Sequence, residues 1–268
     1  MPFSKIIYET QDGIARITLN RADKRNALDA EMVSELKDAV SSSARDPECR
    51  LVLLVGAGTD FCSGADLAAL ERTAQAGVLD NMSDARSTAE LFLMMRNHPR
   101  PVIAAVHGRA LAGGCGIATA CDILLAAESA QFGYPEVNIG FVPAMVMAIL
   151  RRAVSEKAAL ELVAGGETIS ARRAYELGLA HRVYPDDKFL AEVNAYAARL
   201  ASKSASAVML AKRLLYNMDS MSFEAALEAG VETNAIARMT DDCRRGVERF
   251  LRKKSAPQRR VYPEDISK

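Results

Sequence analysis

The sequence predicts an α/β fold that ends in an all-helical region, and two observations carry that prediction. An apolar run leads into a glycine-rich turn and then a helix twice in succession, at LVLLV before GAGTDFCSGADL and at PVIAAV before HGRALAGGCG. Beyond Lys188 the pattern changes to long amphipathic segments with no strand-like runs. Repetition of strand, turn and buried helix builds a layered α/β core. A helical tail that cannot close a core alone must pack on that core or on another subunit. The expected organisation is a core over residues 1–195 and a helical region over 196–268.

Each element follows from local pattern. Lys5 to Glu9 and Ile14 to Leu19 are β-branched stretches on either side of Gln11-Asp12-Gly13, the signature of a hairpin. From Asp29 to Ser41, Met32, Val33, Leu36, Ala39 and Val40 recur at helical spacing, with Asp29 as the cap. Arg50 to Gly56 is a buried strand because LVLLV leaves no polar face. A second helix is expected to open near Asp66. Pro101 to Val106 is the next strand, followed by an apolar helix over Gly114–Cys121, a strand at Ile123–Ala127 and a shorter one at Ala130–Phe132. Leu70 to Pro99 reads as a polar connection or pocket wall, in which Leu91, Met94 and Met95 form a core cluster. After Pro143, AMVMAILRR, SEKAALELVAGG and SARRAYELG are helical, Ser170 is a cap, and LAHRVYP is a short strand.

Composition excludes several function classes. With 268 residues, half of them hydrophobic and a quarter charged, the chain is an ordinary globular protein rather than a disordered one. Lys plus Arg and Asp plus Glu both number 34, so no net field points to nucleic acid or a membrane surface. The basic run from Arg244 to Arg260 is either a solvated helix face or an anion-binding element. Five single cysteines argue against a disulfide framework and a zinc site. His98, His107 and His181 lack ligand spacing, so no metal is expected. MPFSKIIYET has no basic segment leading into an apolar run, and no apolar stretch reaches membrane-spanning length, so the expected location is cytoplasmic.

Three segments could carry chemistry. Cys62 to Leu67 (CSGADL) and Ala110 to Gly116 (ALAGGCG) are turns into helices, where free backbone N–H groups collect. Two such groups aimed at one oxygen would form an oxyanion hole. Equally, the glycines could serve only close strand–helix packing, and neither turn matches a nucleotide-binding motif. In AQFGYPEVNIGFVP, Glu136 lies in an apolar setting, where a carboxylate is either hydrogen-bonded structurally or raised in pKa for proton transfer. Asp122 is read as a structural acceptor of backbone N–H groups, and His107 as support for the second turn.

ITLNRADKRNALD, LVLLVGAGTDFCSGADL, PVIAAVHGRALAGGCGIATACDILLAA and AQFGYPEVNIG, in this order, resemble the crotonase (enoyl-CoA hydratase/isomerase) superfamily from Ile14 through Arg182. TDDCRRGVERFLRKK resembles the family's closing helix. The resemblance implies a spiral of ββα repeats with a C-terminal helical trimerisation region, assembled as a homotrimer or a dimer of trimers. It implies an acyl-CoA thioester as substrate, with coenzyme A part of that substrate and no tightly bound cofactor. The thioester oxygen would meet the N–H groups of Ala65 and Gly113, and Glu136 would move the proton. Coenzyme A would be held by Lys24, Arg25, Ser63, Ala65, Asp66, Leu67, Phe250 and Lys253. The acyl-pocket wall would come from Leu67–Met95 and Val137–Met147.

The resemblance also marks departures. Family hydratases carry a first glutamate, and dienoyl-CoA isomerases an aspartate, at the position of Gly116; the dehalogenase nucleophile would fall at Ala144. Hydration of 2-enoyl-CoA, the commoner family activity, is the first expectation. Conversion of 3-enoyl-CoA to 2-enoyl-CoA is the alternative that Gly116 favours, and a non-catalytic acyl-CoA-binding or assembly protein is a further one.

Overall fold

The structure, a computed structural model, describes residues 3–255. It divides into two compact units that meet in sequence at Lys203 and Ser204. In the first, β1 (Ile6–Gln11) and β2 (Ile14–Leu19) pair antiparallel about Asp12 and Gly13. Both turn residues have positive φ, 51° and 76°, which suits a two-residue hairpin to the twist of its strands. Helix α1 (Ala30–Arg45) starts where the Asp29 carboxylate accepts from the Met32 N–H, and it buries Met32, Val33, Leu36, Ala39 and Val40.

Strand β3 (Leu51–Gly56) follows, then α2 (Leu67–Gln75) and α3 (Val78–Asn97). Leu70 to Pro99 is therefore almost wholly helical, and the expected polar connection is corrected. Only Leu91, Phe92 and Met95, near the end of α3, are buried, whereas Val78, Leu79 and Met82 are exposed. An apolar stripe limited to the last turns leaves no sustained helical period in the sequence. Leu91 and Met95 do lie in the core, with Met94 packed against it.

The spiral then repeats. Strand β4 (Val102–Val106), β5 (Arg109–Leu111) and α4 (Gly113–Ala120) form one turn; β6 (Ile123–Ala127) and β7 (Gln131–Gly133) begin the next. A one-turn 3-10 helix at Pro135–Ile139, α5 (Ala144–Ala153), α6 (Glu156–Gly165), β8 (Thr168–Ser170), α7 (Ala171–Glu176), β9 (Arg182–Tyr184) and α8 (Phe189–Ala201) complete the unit. Strands of successive turns stack in two sheets. The larger runs β1-β2-β3-β4-β6-β9, parallel from β2 onward, and the smaller runs β5-β7-β8. Strands β3 and β4 are buried almost end to end, as sheets covered on both faces require. These successive turns form the spiral of ββα repeats that the resemblance implies.

The second unit contains α9 (Ala205–Asn217), α10 (Phe223–Met239) and α11 (Asp241–Ser255). Asp242 accepts from Ser204, Ser206 and Arg245, which hold its carboxyl far below the usual range and tie the start of α9 to α11. Helix α8, which buries Val193 and Ala197, belongs to the first unit. No helix among the described residues is long and apolar enough to cross a membrane.

Candidate active site

The smaller sheet brings the three candidate segments to one place. Ala110 of β5 pairs in parallel with Phe132 of β7 on one side and bridges in parallel to Cys62 on the other. Cys62, Ala110 and Phe132 are thus in register on three neighbouring chain segments running the same way. Three residues beyond Cys62 is Ala65, three beyond Ala110 is Gly113, and four beyond Phe132 is Glu136. All three candidates leave the carboxyl ends of adjacent parallel segments, where α/β sheets place their ligands.

The two turns touch. A Cβ built on Gly64 would stand 2.8 Å from the Ala112 Cβ, and one on Gly114 would stand 2.4 Å from the Cys62 carbonyl oxygen. Ala112 itself holds a φ of 49°, which turns the chain sharply from β5 into α4. Gly64 accepts from the Leu28 N–H while Asp66 donates to the Leu28 carbonyl, so the N–H of Ala65, between them, faces away from that segment. Among the described residues neither the Ala65 N–H nor the Gly113 N–H has a protein acceptor. Gly113 is the first residue of α4, where the helix dipole adds to the donor. The buried Asp60 braces this junction: it accepts from the Arg109 backbone N–H at 3.0 Å and from the Arg109 Nε at 2.8 Å.

Glu136 lies in the 3-10 turn after β7. Its Oε2 is buried and has no hydrogen-bond partner among the described residues. Burial raises its pKa above the ordinary carboxylate range, against a smaller opposing effect of its own backbone N–H, and no charged side chain contributes. Its titratable neighbours, Cys115 and Tyr134, are buried, and loss of solvation drives both upward, the Cys115 thiol to about 11. Cys62 rises to about 12 for the same reason. Both thiols are neutral near pH 7 and fill space rather than act as nucleophiles. Of these groups, Glu136 is the carboxyl, and burial lifts its proton affinity above the ordinary carboxylate range.

Comparison with known proteins places nearly the whole chain. The family model described as Enoyl-CoA hydratase/isomerase matches residues 9–259. The chain belongs to that family. It is a crotonase-family enzyme acting on acyl-CoA thioesters. A Thermus thermophilus relative named "Putative enoyl-CoA hydratase" is 40% identical over 241 residues, covering 90% of this chain and 95% of the relative. The 2,3-dehydroadipyl-CoA hydratase of Escherichia coli is 31% identical, covering 94% of this chain and 97% of that protein. A crystal structure of Mycobacterium smegmatis enoyl-CoA hydratase superposes with a TM-score of 0.89 at 31% identity, covering 93% of this chain and 97% of that one.

The position at which the crotonase pattern carries its first hydratase glutamate is closed here. A Cβ built on Gly116 would stand 3.2 Å from Phe92 Cζ and 3.2 Å from Val146 Cγ2. Gly116 is buried, and side chains of α3 and α5 take up the space beside it. This replacement of a polar group by apolar packing could not be read from Gly116 alone, because Phe92 and Val146 are distant in sequence.

The residues expected on the coenzyme A side divide. Lys24 and Arg25 are exposed, and the Arg25 carbonyl accepts from the Ser63 N–H, so the basic loop lies along the first turn. Asp66 uses its carboxylate internally: one oxygen caps α2 through the Ala68 N–H, and the other accepts from Arg21 Nη2 at 2.9 Å. Arg21 also pairs with Asp29 at 3.1 Å, so it clamps the basic loop to the starts of α1 and α2. Arg21 had no signal in the sequence reading, since its two carboxylates are brought to it only by the fold. The side chains of Leu67 and Lys253 lie outside the described residues. Phe250 is 60% exposed on α11, in the second unit. His107 does not support the second turn as expected; its Nε2 meets the Gly58 carbonyl, in the loop after β3, at 2.9 Å. Asp122 accepts from the Val102 N–H at 2.6 Å, as its expected structural role requires.

Proposed function

We propose that the enzyme moves the double bond of a 3-enoyl-CoA to the 2-position, with Glu136 as the one acid-base group and the Ala65 and Gly113 N–H groups as the oxyanion hole. The observation that carries this reading is half-buried Glu136, whose Oε2 is buried without a hydrogen-bond partner among the described residues, beside a Gly116 position packed by Phe92 and Val146. Ionised Glu136 takes a proton from carbon 2. The electron pair delocalises onto the thioester oxygen, where the two N–H groups meet the developing charge. Each such donor contributes about 3–4 kcal/mol to the transition state. The dienolate then takes the same proton back at carbon 4, leaving the double bond between carbons 2 and 3. No water and no second carboxylate enter the balance. A carboxyl lifted toward neutrality by burial suits both halves of the transfer, since it must accept and release within one turnover.

Lys24 and Arg25 would pair with coenzyme A phosphates, and the main chain near Ser63 and Ala65 would line the adenine side. Phe250 and Lys253 would contribute from the closing helix, in a homotrimer or dimer of trimers. Asp66 supports that surface through Arg21 rather than by contacting the substrate.

A second reading, hydration of 2-enoyl-CoA, is supported by the names of the relatives. The two are separated by giving matched 2-enoyl-CoA and 3-enoyl-CoA to the purified protein and its Glu136→Gln variant, with products resolved by chromatography and mass spectrometry. The proposal expects equal-mass conversion of the 3-enoyl substrate that is lost in the variant. A Glu136-dependent water adduct of the 2-enoyl substrate, without that conversion, would overturn it. Turnover of neither, with binding retained, would leave an acyl-CoA-binding protein.

A further inference from the structure

Tyr134 immediately precedes Pro135 and Glu136, and its ring is 1% exposed. Burying a phenol requires a partner for its hydroxyl, and Tyr134 finds one in a helix rather than in its own turn. Its Oη lies 2.7 Å from Thr119 Oγ1 near the end of α4. The direction of that bond follows from proton count. A threonine hydroxyl has one proton, and Thr119 gives it to the Cys115 carbonyl at 2.8 Å. Tyr134 is therefore the donor to Thr119. Cys115 is two residues beyond Gly113, so this buried polar chain joins the residue before Pro135-Glu136 to the helix that begins with an oxyanion donor.

Among the described residues no other side-chain hydrogen bond links these two parts. The 3-10 turn buries none of its residues, and its other hydrogen bond outward joins Asn138 to the Gly166 carbonyl, away from α4. Backbone bonds from β7 hold Ala112 through the Gly133 carbonyl, which fixes the start of α4 but not the turn that carries Glu136.

We infer that Tyr134 is a positioning residue, whose hydrogen bond to Thr119 sets the placement of the Glu136 carboxyl against the N–H groups at the start of α4. This rests on the proton-transfer role proposed for Glu136. Misplacement of about 1 Å between reacting groups can cost about 100-fold in rate. Tyr134→Phe keeps the ring and removes only the hydroxyl, so the loss should fall on kcat, with KM for the acyl-CoA little changed. Released from its anchor, Glu136 should gain solvent, and its pKa should fall toward the ordinary carboxylate range.

The test combines kinetics with carbon-13 NMR titration of the glutamate carboxyls, Glu136 being assigned by its absence in Glu136→Gln. For Tyr134→Phe and Thr119→Val the expected result is a fall in kcat of about 10- to 100-fold, KM within about twofold, and a downward-shifted Glu136 titration. Thr119→Ser, which keeps the acceptor, should restore both readouts even if it melts lower. A Tyr134→Phe protein with the parent's kcat and the parent's Glu136 titration would overturn the inference, whatever its melting temperature. Parent turnover insensitive to Glu136→Gln would instead overturn the proton-transfer reading, and the NMR titration would still decide whether Tyr134 governs the carboxyl.

Discussion

Gly114 and Gly116 are two residues apart on α4, and the same substitution should be damaging at the first and nearly silent at the second. In Gly114→Ala the new methyl would stand 2.4 Å from the Cys62 carbonyl oxygen, 2.6 Å from its sulfur and 2.7 Å from its Cβ. That is about 0.6 Å inside the closest approach such atoms make, and the obstacle is main chain in the turn leading to Ala65, which cannot rotate away. The two oxyanion turns must separate. Overpacking of this kind costs about 1–3 kcal/mol, of which alanine's better helix propensity returns up to about 1 kcal/mol. For a chain of this size, with that return taken in full, the net lowers Tm by up to about 8 °C. The larger effect is on rate, because the Ala65 and Gly113 N–H groups proposed as oxyanion donors move apart; the expected loss in kcat is about 10- to 100-fold. In Gly116→Ala the methyl meets only side-chain atoms of Phe92 and Val146 at 3.2 Å, which can give by a few tenths of an ångström. Its stability should stay within about 1 kcal/mol of the parent, and kcat within about threefold. Melting curves and initial rates on the three proteins decide the matter. Equal kcat in Gly114→Ala and parent would refute the view that contact between the turns sets the oxyanion geometry.

Further expectations concern charge. Glu136→Gln should abolish turnover yet raise Tm near and above neutral pH: the folded carboxyl holds its proton more tightly than the unfolded one, so its burial destabilises the fold increasingly as pH rises through the folded pKa, and the difference from the parent should close under acid. Asp60→Ala should cost about 1–3 kcal/mol, discounted because Arg109 is partly solvated, and kcat should fall with it. Hydrogen bonds and charge from Arg109 lower the Asp60 pKa, so its contribution is complete above the usual aspartate range and lost as pH falls below it, which acid titration of the parent's stability will reveal. Lys24→Ala combined with Arg25→Ala should raise KM more than it lowers kcat, with a weaker salt dependence of KM than the parent. Phe223, Leu227, Val231 and Met239 of α10 are all exposed in the single chain, and light scattering should find a trimer or hexamer that covers them.

The parts of this fold that were legible in the sequence are those whose pattern is local. LVLLV and PVIAAV are strands because nothing polar interrupts them, and Asp29, Asp66 and Ser170 cap helices because their side chains reach N–H groups two or three residues ahead. The three-residue strands β5 and β8 have no length in which to show a period, and α3 exposes most of its length. At the site, glycine-rich turns and a glutamate among apolar residues could be found by inspection. Their convergence could not, because it depends on the register of Cys62, Ala110 and Phe132. For the same reason the filling of the Gly116 position by Phe92 and Val146, and the clamp made by Arg21, became visible only in three dimensions. Asp66, which the family resemblance puts on the coenzyme A side, is held by Arg21 and a helix N-terminus, a pairing that only the fold makes visible.

In the proposed reaction half-buried Glu136 carries a proton between two carbons of the same substrate. This transfer is tested most directly with a 3-enoyl-CoA bearing deuterium at carbon 2, converted in ordinary water and examined by mass spectrometry and NMR. The expected product is a 2-enoyl-CoA with deuterium at carbon 4 above the solvent background, absent with Glu136→Gln. A product whose carbon 4 carries only solvent hydrogen, or label transfer that survives in Glu136→Gln, would contradict it.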